Sequence, residues 1–219
     1  RHAQALLLHQ PDEPEEVGPV RDDQLRMIFT CCHPAISPLA QTALTLRLVG
    51  GLEVPEIARA YLVPEATVAQ RIVRAKKKIR DAGIPYRVPS EAELPDRLAS
   101  VLTVLYLVFN EGYRGRVDLG AEAIRLGRVL TSLLPREPEV HGLLALMMIH
   151  HARRRARFLG EDLVLLENQD RSLWDVDQIA AGRSVLDRAM ALRGRGPYVV
   201  QAVIASLQAR EHIDWPRVA

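Results

Sequence analysis

The stretch that most constrains this chain is residues 50–80, GGLEVPEIARAYLVPEATVAQRIVRAKKKIR. It contains two Pro-Glu pairs, Pro55-Glu56 and Pro64-Glu65. Proline suits the first position of a helix because its missing N–H would have no partner there, and glutamate is favoured by the positive end of the helix dipole. The stretch therefore predicts two short helices that begin at these pairs and are joined by a tight turn.

The second predicted helix is amphipathic. Its apolar residues recur at steps of four, three and four, which places them in one stripe: Val68, Ile72, Ala75 and Ile79. Six of the residues from 64 to 80 are basic and one is acidic. The face opposite the stripe carries Thr67, Gln70, Arg71, Arg74, Lys77 and Lys78. A helix with an apolar back and a cationic front is suited to the major groove of DNA.

A recognition helix of this kind divides its side chains by role. We expect base-edge contacts from Gln70, Arg71 and Arg74, and a contact of either kind from Thr67 in the first turn. Phosphate contacts are expected from the four remaining basic residues, which are Lys76, Lys77, Lys78 and Arg80. A solvated basic face on an ordinary helical hairpin is the alternative interpretation.

The run of residues 56–68 resembles the helix-turn-helix of region four in bacterial RNA polymerase sigma factors, and most closely that of the extracytoplasmic-function (ECF) subfamily. Residues 70–79 are similar to the basic tail that follows in that family. The resemblance implies recognition of the upstream minus-35 promoter element and docking of residues 22–49 on the β flap of core RNA polymerase. The family's usual turn glycine is replaced by Leu62, which positive φ would strain, so we expect a different backbone in the turn.

Composition narrows the function classes. The net charge is only +2, so the basicity is local to the second helix, and aromatic residues make up only 5%, which disfavours a stacking platform for single strands. The sequence has no apolar run long enough to span a bilayer and no signal-peptide pattern. We therefore expect a cytoplasmic protein without a membrane partner.

The sequence does not indicate a metal site, a cofactor or an enzyme. Cys31, Cys32 and His33 are adjacent, whereas a zinc site requires spaced ligands and a second ligand pair. A nucleophile elbow, a phosphate loop and a His-Glu-x-x-His motif are all missing. We expect no catalytic residues, no metal and no cofactor.

Proline-rich segments divide the chain into four predicted parts. Residues 1–21 form an acidic linker after a missing region two, and residues 22–84 form the region-four domain, capped at its start by Asp22 or Asp23. Residues 85–95 form a connector, and residues 96–219 form a helical extension. The first residue is not Met and the sequence ends soon after a proline, so we expect a fragment of a longer protein.

The extension is rich in Leu and Ala and predicts an all-α domain of tetratricopeptide-like hairpins. Residues 106–113 and the Asp170-Arg171-Ser172 and Trp174-Asp175 segments resemble the carboxy-terminal extension of one ECF subgroup. A helical domain that has fewer clustered basic residues and follows a DNA-binding module is expected to regulate rather than to read DNA, with a regulatory protein as a further partner. The run from His150 to Arg157 is interpreted as the polar face of a helix rather than an anion-binding patch. For the whole chain, the alternative is a helical protein-interaction scaffold without sequence-specific DNA binding.

Overall fold

The computed structural model describes residues 20–111, 119–159 and 162–210. These residues form an all-α protein that also contains one antiparallel pair of two-residue strands. The chain divides into two compact units, Arg1–Val117 and Asp118–Ala219. The described part of the first unit contains five helices: α1 Val20–Cys31, α2 Pro38–Leu48, α3 Val54–Ala60, α4 Glu65–Asp81 and α5 Leu94–Glu111.

The described part of the second unit contains four α-helices: α6 Leu119–Leu133, α7 Pro138–His151, α8 Val176–Ala191 and α9 Pro197–Gln208. Between α7 and α8 the chain forms three single 3-10 turns, Arg154–Ala156, Leu166–Asn168 and Arg171–Leu173. The strands β1 Phe158–Leu159 and β2 Asp162–Leu163 pair antiparallel, with Phe158 opposite Leu163.

The core of the first unit contains Phe29, Leu44 and Leu46, which are fully buried. Ser37 is the N-cap residue of α2, and Pro38 occupies the first helical position. Helix α1 begins at Val20, so the expectation that Asp22 or Asp23 caps it is wrong, because both lie in its first turn.

The connector and α5 pack with the first unit. The Tyr86 hydroxyl donates a hydrogen bond of 3.0 Å to the carbonyl oxygen of Asp23, and the Arg97 guanidinium donates one of 2.6 Å to that of Phe29. Helix α5 also contacts α1 and α2. The predicted domain start at residue 96 therefore differs from the structural division after Val117. The prolines suggested a break, but long-range hydrogen bonds and apolar packing hold this segment to the first unit.

Helix α7 is packed against both α8 and α9 within the second unit. A Cβ atom at Gly142 would lie 2.7 Å from the Val199 backbone nitrogen, so only glycine permits this approach of α7 and α9. The Glu139 carboxylate accepts hydrogen bonds from the backbone N–H groups of Tyr198 and Val199, at 2.9 and 3.3 Å. These donors would otherwise lack partners in the first turn of α9.

The Trp174-Asp175 segment contacts residues at the end of α7, from which it is distant in the sequence. The Asp175 backbone N–H donates to the carbonyl oxygen of Ala152, at 2.9 Å. Trp174 is buried, and the guanidinium groups of Arg153 and Arg171 lie 5.5 and 4.7 Å from its ring centroid. Arg153 is only 5% exposed and lies beyond the last residue of α7, so the interpretation as the polar face of a helix is wrong for this residue. Burial, followed by the charges of Arg153 and Arg157, lowers the pKa of His150 to about 3.

Candidate nucleic-acid interface

Helix α3 is fixed at its start by charged side chains. The Glu53 backbone N–H donates to the Glu56 carboxylate at 2.7 Å, which is half of a capping box. The Arg47 guanidinium at the end of α2 donates to the Glu53 carboxylate at 2.8 Å and to the Leu52 carbonyl oxygen at 3.2 Å. These bonds hold α3 against the preceding helix.

The turn between α3 and α4 is a Schellman motif. The Val63 N–H donates to the Ala58 carbonyl oxygen at 3.0 Å, and the Leu62 N–H donates to that of Arg59 at 3.3 Å. Leu62 has φ +51°, so the expectation of a different backbone is wrong. The leucine adopts the conformation that glycine favours because both hydrogen bonds require it, and its side chain is 83% exposed and avoids the core.

Helix α4 begins at Glu65, and Pro64 is its N-cap residue rather than its first helical residue. The Pro64 carbonyl oxygen accepts from the Thr67 N–H at 2.9 Å. The predicted apolar stripe is confirmed, because all four of its residues are buried: Val68, Ile72, Ala75 and Ile79. Helix α4 packs on α2 and α3 through this stripe.

Six of the eight predicted DNA-binding residues lie together on one side of α4. Successive residues turn by about 100° around a helix, which places these six in one continuous sector away from the buried stripe. Gln70, Arg74, Lys77 and Lys78 are exposed, and Thr67 and Arg71 are half-buried.

Lys76 and Arg80 lie on the other flank of the same helix. Lys76 is half-buried and Arg80 is exposed. Burial and then the adjacent Cys32 thiol raise the pKa of Cys31, and the nearby Lys76 ammonium opposes this rise. Lys76 therefore lies on the flank near Cys31, whereas Lys77 and Lys78 face solvent.

One acidic side chain borders the basic face. The Lys77 ammonium forms an ion pair with the Asp81 carboxylate one turn later, and both side chains are more than half exposed. The hydrogen bond from Lys77 lowers the pKa of Asp81 below its usual value. Asp81 therefore competes with any phosphate that approaches Lys77.

Sequence reasoning missed Val73. This side chain is 64% exposed on the outward side of α4, between Gln70 and Lys77. An exposed apolar group in a major-groove helix can contact the methyl group of thymine. The signal was available in the sequence, because Val73 directly follows Ile72 and therefore lies outside the apolar stripe.

The adjacent cysteines are buried free thiols. Burial raises the pKa of Cys32 to about 12, although its hydrogen bond with Thr45 and the charge of Arg97 both act to lower it. A thiol with so high a pKa is a poor metal ligand, because metals bind the thiolate. Across residues 20–111, 119–159 and 162–210, the structure has no group of three His, Cys, Asp or Glu side chains that could hold a metal ion.

The helices of the described segments include none that is long and apolar enough to cross a membrane.

Comparison with known proteins identifies two segments. Residues 26–79 match the family described as Sigma-70, region 4, and residues 97–190 match the Family of unknown function (DUF6596). The first match covers the second half of α1, all of α2 and α3, and most of α4, which carries the basic sector. This segment is therefore similar to region 4 of sigma factors of the sigma-70 class.

A protein of Rhizobium meliloti (strain 1021), described as Uncharacterized protein R00370, is 48% identical over 210 residues, which are 90% of this chain and 50% of that protein. The chain thus spans about half the length of this curated relative. No solved structure matches the chain.

Proposed function

We propose that this chain, with its sigma-70 region-four segment, is the promoter-recognition part of an ECF-type sigma factor. Helix α4 enters the major groove at the minus-35 element. Gln70, Arg71 and Arg74 contact base edges, while Lys77 and Lys78 bind phosphates, with Arg80 at the end of the helix. Lys76 contributes long-range charge from the inner flank.

A single observation carries the proposal. The region-four match covers residues 26–79, and the same segment presents a polar and cationic sector on α4, opposite a buried apolar stripe. A helix whose basic face is only solvated does not need a fixed position, whereas a recognition helix must be held rigidly to bring its side chains to base edges. The capped α3 and the Schellman turn supply that rigidity.

The family match also motivates a polymerase contact. We propose that the surface of residues 22–49 binds the β flap of core RNA polymerase. Leu39 is 54% exposed at the start of α2. An exposed leucine on this surface is available to a protein partner. Pull-down of the isolated flap by the chain tests this contact, with Leu39→Asp as the variant expected to lose binding.

For the second unit we propose regulation rather than DNA reading. The DUF6596 match begins at residue 97 and covers most of α5 to α8. Because the function of that family is unknown, the match does not indicate what this segment binds or does. The described helices of the second unit include no strongly basic one, and such a unit, joined to a DNA-binding unit, is suited to respond to a regulatory protein. Tetratricopeptide-like stacking remains a proposal for this unit.

Paired substitutions test the DNA assignment. We expect Arg71→Ala to cost about 1–3 kcal/mol on a site selected from random DNA and to relax preference at one base pair. Lys77→Ala should weaken selected and random duplexes alike and reduce the salt slope by about one unit. Arg188→Ala changes an exposed arginine of α8 and is the matched control, which should leave binding unchanged.

Two results would count against the proposal. Equal losses on selected and random DNA for both variants would remove the base-reading role of Arg71. Failure of the whole chain to select any sequence from a random pool would favour the alternative, a protein-interaction scaffold.

A further inference from the structure

All side-chain amines of this chain lie in one turn of the DNA-facing helix. The 29 basic residues include only three lysines, Lys76, Lys77 and Lys78, and the others are arginines. Lysine is a target of acylation, which converts its ammonium into an uncharged amide. Acylation of a lysine in this chain must therefore alter α4.

The three lysines have different surroundings. Lys76 is half-buried on the flank near Cys31. Lys77 is exposed, but its ammonium is paired with Asp81. Lys78 is exposed and makes no ion pair with any residue that the structure describes. Its neighbour one turn earlier is Arg74, a like charge. Lys78 is thus the most available amine of the three.

We propose that Lys78 is an acylation site, modified by small acyl phosphates, through which the charge of the DNA-facing surface is lowered. The neutral amine attacks the acyl carbon, the new N–C bond forms, and the bond from carbon to the phosphate oxygen breaks. Inorganic phosphate leaves with the bonding electrons, and the proton released from nitrogen passes to solvent. The cationic groups of Arg74 and Lys77 attract the anionic donor by the same field that attracts DNA.

The consequence for DNA rests on the proposed function, in which Lys78 contacts a phosphate. Loss of one phosphate-binding charge lowers the slope of log affinity against log salt by about one unit. The loss is independent of base sequence, because phosphate contacts carry no direct sequence information. Acylation of Lys78 therefore weakens binding to all duplexes.

Site mapping tests the modification without reference to DNA. The whole chain is treated with acetyl phosphate, cleaved after arginine, and the fragment of residues 75–80 is analysed by mass spectrometry. We expect Lys78 to react about twofold faster than Lys77, because the exposed ion pair with Asp81 stabilises the charged form of Lys77 by a small amount. Lys76 should react most slowly, because it is half-buried. Asp81→Asn should bring Lys77 to the rate of Lys78. The proposal would be overturned if the relative acetylation rates of the three lysines were the same in the native and the urea-denatured chain, or if Lys76 reacted fastest.

DNA binding is measured on the same samples. Lys78→Arg keeps the charge and cannot be acylated, so the treated variant should lose less affinity than the treated natural sequence. Lys78→Gln should reproduce the salt slope of the acetylated chain. If Lys78→Gln binds DNA like the natural sequence, the phosphate role in the proposed function is wrong, while the mapping still decides the reactivity. If treated Lys78→Arg loses as much affinity as the natural sequence, Lys78 is not the controlling site.

Discussion

The ammonium of Lys77 is paired with the carboxylate of Asp81 across one turn of α4, on the side of the helix that carries the basic sector. The carboxylate adds a negative charge where the proposed ligand is a polyanion. The pair lies on the surface, where such pairs contribute little to stability. Its effect is therefore expected in binding rather than in folding.

Asp81→Asn is expected to raise affinity for DNA of any sequence by about two- to fivefold, because it releases Lys77 and removes a repelling charge. The measurement is a fluorescence titration of selected and random duplexes at several salt concentrations. Asp187→Asn removes an exposed carboxylate from α8 and is the matched control. A gain confined to the selected sequence would contradict this account of Asp81.

Val73→Ala is expected to weaken binding by about 1 kcal/mol at sites where the side chain covers a thymine methyl group. Replacement of that thymine by uracil removes the same methyl group from the other side of the contact. If the contact exists, the two changes together should cost less binding free energy than the sum of the two separate losses, which a double-mutant cycle measures. Val200→Ala, an exposed valine of α9, is the control. Full additivity at every thymine of the site would exclude a methyl contact.

Leu62→Gly is expected to stabilise the first unit by about 0.5–1 kcal/mol, because φ +51° strains leucine but not glycine. Leu62→Val should destabilise it, since a β-branched residue tolerates positive φ least well. Urea unfolding monitored by circular dichroism gives both free energies of unfolding. Opposite signs for the two variants are the required result, and equal destabilisation by both would show that the turn is not strained.

Gly142→Ala is expected to destabilise the second unit by about 1–3 kcal/mol, because the new Cβ atom would lie 2.7 Å from the Val199 backbone nitrogen. The neighbouring atom belongs to the backbone of α9 and cannot rotate away. Thermal unfolding of the whole chain measures the effect. An unchanged transition of the second unit would mean that α7 and α9 leave room for a Cβ atom at this position.

Glu93 is expected to make the first unit acid-sensitive. Hydrogen bonds from Arg87, and then from Ser90, lower the pKa of Glu93 from 4.5 to about 2. A lowered folded-state pKa stabilises the fold above the unfolded value, and this contribution is lost as pH falls from about 4.5 towards 2. Glu93→Gln should lower stability at pH 7 and reduce the loss between these pH values, as measured by urea unfolding. Glu91→Gln, two residues earlier and exposed, is the control and should change neither.

The sequence predicted the helices and the outward side of α4 because both depend on local periodicity. Val68, Ile72, Ala75 and Ile79 are buried where their spacing places them. Once one stripe of a helix is buried, the geometry of 3.6 residues per turn fixes which residues face outward. The sector from Thr67 to Lys78 followed from the sequence for this reason. The same periodicity would have identified Val73.

Interactions between distant residues were decided only by the tertiary structure. The hydrogen bonds of Tyr86 and Arg97 attach the connector and α5 to the first unit, which moves the boundary beyond residue 96. The burial of Arg153 against Trp174 likewise joins residues 21 positions apart, and no pattern in either segment indicates it. Leu62 keeps a left-handed backbone because two backbone hydrogen bonds outweigh its local preference. Local patterns thus determined the elements and the faces of α4, whereas the domain boundary, the buried arginine and the strained turn depended on long-range packing.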